Sequence, residues 1–187
     1  MKKEINVSLE EAKHEVELAS RRIGMLHIAY AKSIIETLGK EEGEKVILDS
    51  IKKYGEMIGE QTKKTVLEEG LELTPENFGI EKARSLPKFG LNDKVVEDDQ
   101  GRKVYGCTMA KVWRELGEEE LGQLYCFIDV AKYMYYNPDF KLAHKKAMPV
   151  HKTDYCLFSL EETTEQERKD FFGNKDWRYL DKEMIKE

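Results

Sequence analysis

At 187 residues the chain is long enough to bury one core and short for two, so neither a disulfide nor a metal is needed merely to fold. The charged fraction, 36%, is high, but the net charge of -6 arises from interleaved residues such as Glu41-Glu42-Gly43-Glu44-Lys45; this excludes a basic nucleic-acid footprint and fits long solvated helices. No apolar run approaches the roughly 18 residues of a membrane span, Met1-Lys2-Lys3-Glu4-Ile5-Asn6 leads into a polar helix rather than a secretory signal, and three widely spaced cysteines fit free thiols in the cytoplasm.

Ser8 followed by Glu11 forms a capping box and predicts the start of a first helix. Apolar residues recur at Ala12, Val16, Ala19, Ile23, Leu26, Tyr30 and Ile34, which predicts one buried face, and Leu38-Gly39 predicts its end. A second helix is expected from about Glu41 to Glu69, with Ile47, Ile51, Tyr54, Ile58 and Val66 on its inner face. Gly43, Gly55 and Gly59 fall inside it, and each costs about 1 kcal/mol relative to alanine. Close approach of another element is the reading that best offsets this cost; room for a ligand is the alternative.

Thr74-Pro75 opens a short third helix. Lys94–Glu97 and Arg102–Cys107 read as two strands joined by Asp98-Asp99-Gln100-Gly101. Met109–Leu116 and Glu118–Tyr136 read as helices, and Phe140–Met148 with Asp154–Leu160 as a second strand pair. Thr164–Phe172 predicts a terminal helix, and Trp177, Tyr179 and Leu180 mark a tail that docks. Helices followed by hairpins, without βαβ alternation, predict an α+β fold: an antiparallel sheet with the N-terminal helices packed on it. The expected organisation is a single domain over 1–187, with a helical part (1–90), a cysteine-bearing α+β part (91–160) and a C-terminal helix and tail (161–187).

The sequence has no G-x-G-x-x-G, Walker P-loop, H-E-x-x-H, G-x-S-x-G or CxxC motif. The chemistry-bearing residues are therefore Cys107, Cys126 and Cys156. Cys107 ends a strand and precedes a helix, where unpaired amides favour a thiolate. Cys126 lies three residues before Asp129 on one expected helix, and Cys156 lies two residues after Asp154 in a strand. Against this stands the ordinary use of free cysteine as a small buried hydrophobe. Among the histidines, His151 stands just before Asp154 and Cys156 and is the best-placed base or fourth ligand. His14 reads as solvated, His27 as a satisfied core residue, and His144 as a strand residue among lysines. Tyr133, Tyr135 and Tyr136 read as core, and Lys145 and Lys146 as solvated.

Taken in order, Gly106-Cys107, Leu116-Gly117, Glu120-Leu121-Gly122, Tyr125-Cys126-Phe127-Ile128-Asp129, Asn137-Pro138 and Asp154-Tyr155-Cys156-Leu157-Phe158 resemble the L-2-amino-thiazoline-4-carboxylic acid hydrolase family. Leu38-Gly39-Lys40-Glu41-Glu42-Gly43 fits the family's N-terminal half, so the resemblance spans most of residues 20 to 160. The chain departs from the family pattern at Thr108, where proline is usual, and at Thr153, where glycine is. The resemblance implies a hydrolase that opens a cyclic, sulfur-containing amidine at a C–S or C–N bond to give a carbamoyl-cysteine. The last motif also resembles a 4-vinyl-reductase-type small-molecule-binding domain, which implies a ligand pocket between sheet and helices.

Two mechanisms are consistent with these residues. In one, a cysteine thiolate attacks the amidine carbon while Asp129 or His151 handles protons. In the other, Cys107, Cys126 and Cys156 hold zinc or an iron–sulfur cluster with an open position for a sulfur-bearing ligand. A carboxylate beside a thiolate raises the thiol pKa, so Asp129 is better cast as a base for water or a partner for the substrate amidinium, and Asp154 as a residue that orders the loop holding His151. The expected partner is a small-molecule substrate, with no nucleic acid and no membrane; the composition allows an oligomer. The alternative function is a non-catalytic sensor of a small molecule, metal or cluster.

Overall fold

Ser8 begins the first helix as its sequence predicts. In the computed structural model, which describes residues 6–173 and 175–185, helix α1 runs over Leu9–Leu38. The Ser8 hydroxyl accepts from the Glu11 amide at 3.2 Å, and the Glu11 carboxylate accepts from the Ser8 amide at 2.8 Å. The reading of Met1–Ile5 lies outside the described residues. Helix α2 follows over Lys40–Glu68, with Gly39 (φ +80°) at the corner between the two.

The face of α1 differs from the expectation. Ile23, Leu26 and Tyr30 are exposed, and the buried residues are Ser20, Gly24, Ile28 and Ala31. The reason is close packing. Small residues at this spacing admit helix α3 (Thr108–Leu116) against the backbone of α1, and the Trp113 indole N–H donates to the Gly24 carbonyl at 3.2 Å. The Trp113 ring seated on Gly24 is 1% exposed, and burial of so large a ring favours this face. On α2 the expected face is largely the real one: Ile47, Ile51 and Val66 are buried, while Tyr54 is partly exposed.

The segment expected as one helix from Glu118 to Tyr136 is two. Helix α4 spans Glu119–Cys126 and α5 spans Ile128–Tyr136, with the break at Phe127. No glycine or proline stands there. Phe127 is buried with its ring edge-on to Trp177 at 5.6 Å, so tertiary packing, not propensity, sets the break. Helix α5 lies on α2 so closely that a Cβ added at Gly55 would meet the Ala131 Cβ at 2.4 Å, and one at Gly59 the Lys132 carbonyl at 2.5 Å. The packing reading of these two glycines therefore holds. It holds for Gly43 as well, against α1, where an added Cβ would meet Ile35 Cδ1 at 2.8 Å and its Cα at 3.0 Å.

The sheet has four strands, β1 (Lys94–Asp98), β2 (Gly101–Tyr105), β3 (Phe140–Lys146) and β4 (Tyr155–Glu162), in the order β1-β2-β4-β3 and antiparallel throughout. Val104 pairs with Cys156 and His144 with Phe158, with an irregularity between His144 and Lys146. A helical turn, α6 (Met148–His151), links β3 to β4, so His151 lies in a turn of helix rather than a loop. Helix α7 covers Glu165–Phe172 behind a Thr164 capping box. The N-terminal helices reach the sheet mainly through their neighbours: α5 packs on both α2 and β3, and α3 packs on α1.

The tail docks, as its aromatics predict. Trp177, Leu180 and Met184 are buried with Phe127, Met134 and Phe171 in one apolar cluster. Residues Arg178–Met184 form a 3-10 segment that leaves helical geometry at Asp181 (φ -130°, ψ 77°) and packs along β3. Tyr133 and Tyr136 pack on Phe78, Tyr133 stacked at 4.1 Å, which bears out their reading as core.

Candidate active site

Three elements carry the cysteines to one place. Cys107 caps α3, Cys126 ends α4, and Cys156 is the second residue of β4. Cys156 belongs to an apolar cluster with Ile28, Met109, Trp113 and Met148, and Cys107 and Cys126 pack against the same cluster. Cys126 feels both other thiols, and Cys156 feels Cys107. Burial pushes Cys126 well above the ordinary thiol range, and Cys156, Cys107, Asp129 and Asp181 add to the rise. Burial likewise pushes Cys156 up to about 12, against a hydrogen bond from the Met148 amide to its sulfur at 3.4 Å.

Cys107 has two amide donors, at the start of α3. Burial raises its pKa as well, and the Asp129 carboxylate adds a smaller rise, but the amides of Met109 and Ala110 pull it down. The helix terminus therefore acts on Cys107 as its position predicts, while the apolar surroundings outweigh it. Cys107 and Cys126 retain partial exposure, whereas Cys156 is buried.

Beside the thiols lies a buried polar chain. The Asp129 carboxylate accepts from Lys132, and its Oδ2 lies 3.8 Å from His144 Nε2. On the other side of the ring, His144 Nδ1 lies 2.7 Å from Asp181 Oδ2, and the His144 amide donates to Asp181 Oδ1 at 3.1 Å. The His144 side chain is 1% exposed and that of Asp181 0%. The Phe158 ring lies 4.5 Å from the imidazole. Buried polar groups at this density persist only when each has partners, which these do.

Of the residues singled out in the sequence, Cys107, Cys126, Cys156 and Asp129 come together. The break at Phe127 removes the simple helical spacing between Cys126 and Asp129, yet the two remain electrostatic neighbours. His151 is placed differently: its Nδ1 accepts from the Ala147 amide at 3.0 Å, and its Nε2 faces Glu183 at 3.2 Å. Asp154 is exposed, and its carbonyl accepts from the Gly106 amide at 3.0 Å. His27 points inward and its Nε2 donates to the Leu121 carbonyl at 2.9 Å, the satisfied core histidine that the sequence suggests.

His144 and Asp181 are not legible as site residues in the sequence. The alternation Leu142, His144 in a strand is a signal for an inward-facing histidine, obscured by Lys145 and Lys146. Asp181, one acidic residue in a polar tail, carries no such signal.

The shared-metal expectation does not fit this arrangement. Among the described residues no group of three or more His, Cys, Asp or Glu side chains is placed to hold a metal ion. The Cys156 sulfur is turned to the Met148 amide.

The sequence model of L-2-amino-thiazoline-4-carboxylic acid hydrolase matches residues 19–160, which carry the three cysteines, Asp129 and His144. The chain belongs to this hydrolase family. No curated protein and no solved structure matches it, so the likeness to a 4-vinyl-reductase-type domain is not confirmed. Within the family match, the departures at Thr108 and Thr153 have clear local roles. The Thr108 amide and hydroxyl bond the carbonyls of Leu91 and Gly90, at 2.9 and 3.2 Å, and the Thr153 hydroxyl bonds the Tyr155 carbonyl at 2.7 Å. A proline at 108 would lack the first of these donors. Among the described residues no helix is long and apolar enough to cross a membrane.

Proposed function

We propose that the protein opens a 2-amino-thiazoline-carboxylate-like ring by hydrolysis, with Cys107 as nucleophile, Asp129 as partner of the substrate amidinium and His144 as proton-transfer group. The observation that carries this is the meeting, inside the family match, of an amide-supported thiol with a buried carboxylate–imidazole pair.

The electrostatics explain why the thiol rests protonated. Burial and the Asp129 charge both disfavour the Cys107 thiolate. A cationic amidine bound against Asp129 offsets that charge, which lowers the cost of forming the thiolate at the moment the substrate is present. The substrate thus relieves the resting state of its own nucleophile, and the Met109 and Ala110 amides hold the charge that develops.

The steps then balance. The Cys107 proton passes to His144, and the sulfur bonds to the amidine carbon. A ring C–S or C–N bond breaks, and the departing heteroatom takes the proton from His144. Water adds to the same carbon, gives a proton to His144 and expels the Cys107 sulfur, which takes that proton back from His144, leaving a carbamoyl-cysteine and the resting thiol. Burial and neighbouring charges hold the Cys126 thiol well above the ordinary range and Cys156 is buried, so both serve as apolar walls of the site.

The test is turnover of L-2-amino-thiazoline-4-carboxylate by the purified protein, followed as carbamoyl-cysteine by mass spectrometry. Wild type should turn over, Cys107→Ala should lose essentially all activity, and Cys126→Ala should retain most of it. No product from wild type, or full activity in Cys107→Ala, contradicts the assignment.

A further inference from the structure

We infer that Asp181, supplied by the C-terminal 3-10 segment beyond the family match, is the positioning residue that fixes the tautomer and direction of the His144 imidazole. The inference rests on His144 as the proton-transfer group.

Both oxygens of this one carboxylate are committed to one residue. Oδ1 accepts the His144 backbone amide at 3.1 Å, and Oδ2 lies 2.7 Å from Nδ1. A carboxylate oxygen can only accept, so a ring proton sits on Nδ1, and Nε2, 3.8 Å from Asp129, is the atom that exchanges a proton in the proposed reaction. Phe158 lies 4.5 Å from the ring, and Asp181 is completely buried. The backbone of the tail delivers this carboxylate. It departs from helical geometry at Asp181, while Leu180 and Met184 on either side anchor it in the core.

The geometry makes asparagine an informative replacement. In Asp181→Asn the amide oxygen is drawn to the His144 backbone N–H, which cannot accept. The side-chain NH2 then faces Nδ1 and forces the ring proton onto Nε2. An imidazole in that tautomer cannot take a proton at Nε2.

The experiment is 15N NMR of histidine-labelled protein together with kinetics on L-2-amino-thiazoline-4-carboxylate. Wild-type His144 should show a protonated Nδ1. Asp181→Asn should move the proton to Nε2 and lower kcat by about 10²–10⁴-fold, the range of a lost general base, with KM little changed. A wild-type ring with unprotonated Nδ1 overturns the inference, as does a folded Asp181→Asn with wild-type kcat. The wild-type spectrum decides even where Asp181→Asn fails to fold. If wild type lacks turnover, the hydrolytic reading falls, while the spectra still decide what Asp181 does to His144.

Discussion

A thiol among apolar side chains stays protonated through neutral pH, and this has a consequence for stability. Cys156 rises from about 9 to about 12 on folding, chiefly through burial. Between those values the unfolded chain has lost the proton and the folded chain keeps it. Unfolding therefore releases a proton, and the stabilisation, fully present below about pH 9, is lost as pH rises through that window. Cys126 and Cys107, both raised by burial, act in the same direction. Urea unfolding at about pH 8 and about pH 10 should show a steep alkaline fall in wild type and a shallower one in Cys156→Ala. Equal slopes in the two proteins would mean that the Cys156 thiol does not titrate as its burial requires. At this same scale the three thiols and Asp129 are legible in the sequence, because residue type and order carry that information. The sequence ranks His151 first among the histidines, whereas the buried histidine beside Asp129 is His144, in a strand whose lysines obscure it.

Helix α5 is held against α2 by the absence of side chains at Gly55 and Gly59. A methyl group at Gly55 would sit 2.4 Å from the Ala131 Cβ and 3.0 Å from the Lys132 amide nitrogen, so α5 must shift. Overpacking of this kind costs about 1–3 kcal/mol, against about 1 kcal/mol that alanine returns in helix propensity. Gly55→Ala should thus lower the urea midpoint. It should also lower turnover, because α5 carries Asp129 and Lys132. A Gly55→Ala protein with raised stability would show that the interface has slack. The elements themselves are legible because caps and turns are local: Ser8 with Glu11, Thr164 ahead of α7, and the paired strands all lie where their residues predict. The inner face of α1 and the break at Phe127 are not. Trp113 on Gly24 and Trp177 on Phe127 decide them, and both are contacts between residues far apart in the chain.

Across the whole molecule, the site is assembled from parts distant in sequence. Helices α3 and α4 and strand β4 bring the thiols, α5 brings Asp129, β3 brings His144, and the tail closes the far side of the imidazole. The α+β class and the antiparallel sheet follow from the order of elements, whereas the strand order β1-β2-β4-β3 and the role of the tail depend on packing that no local pattern encodes. The proposed mechanism stands or falls on covalent chemistry at one of three neighbouring sulfurs. Rapid acid quench of wild-type protein during turnover of L-2-amino-thiazoline-4-carboxylate, followed by peptide mass spectrometry of all three cysteines, reads that chemistry directly. A transient substrate-derived adduct should appear on the peptide containing Cys107 and be absent from Cys126 and Cys156. Turnover with an adduct on Cys126 or Cys156 instead, or with Cys107 unmodified throughout, would contradict the mechanism.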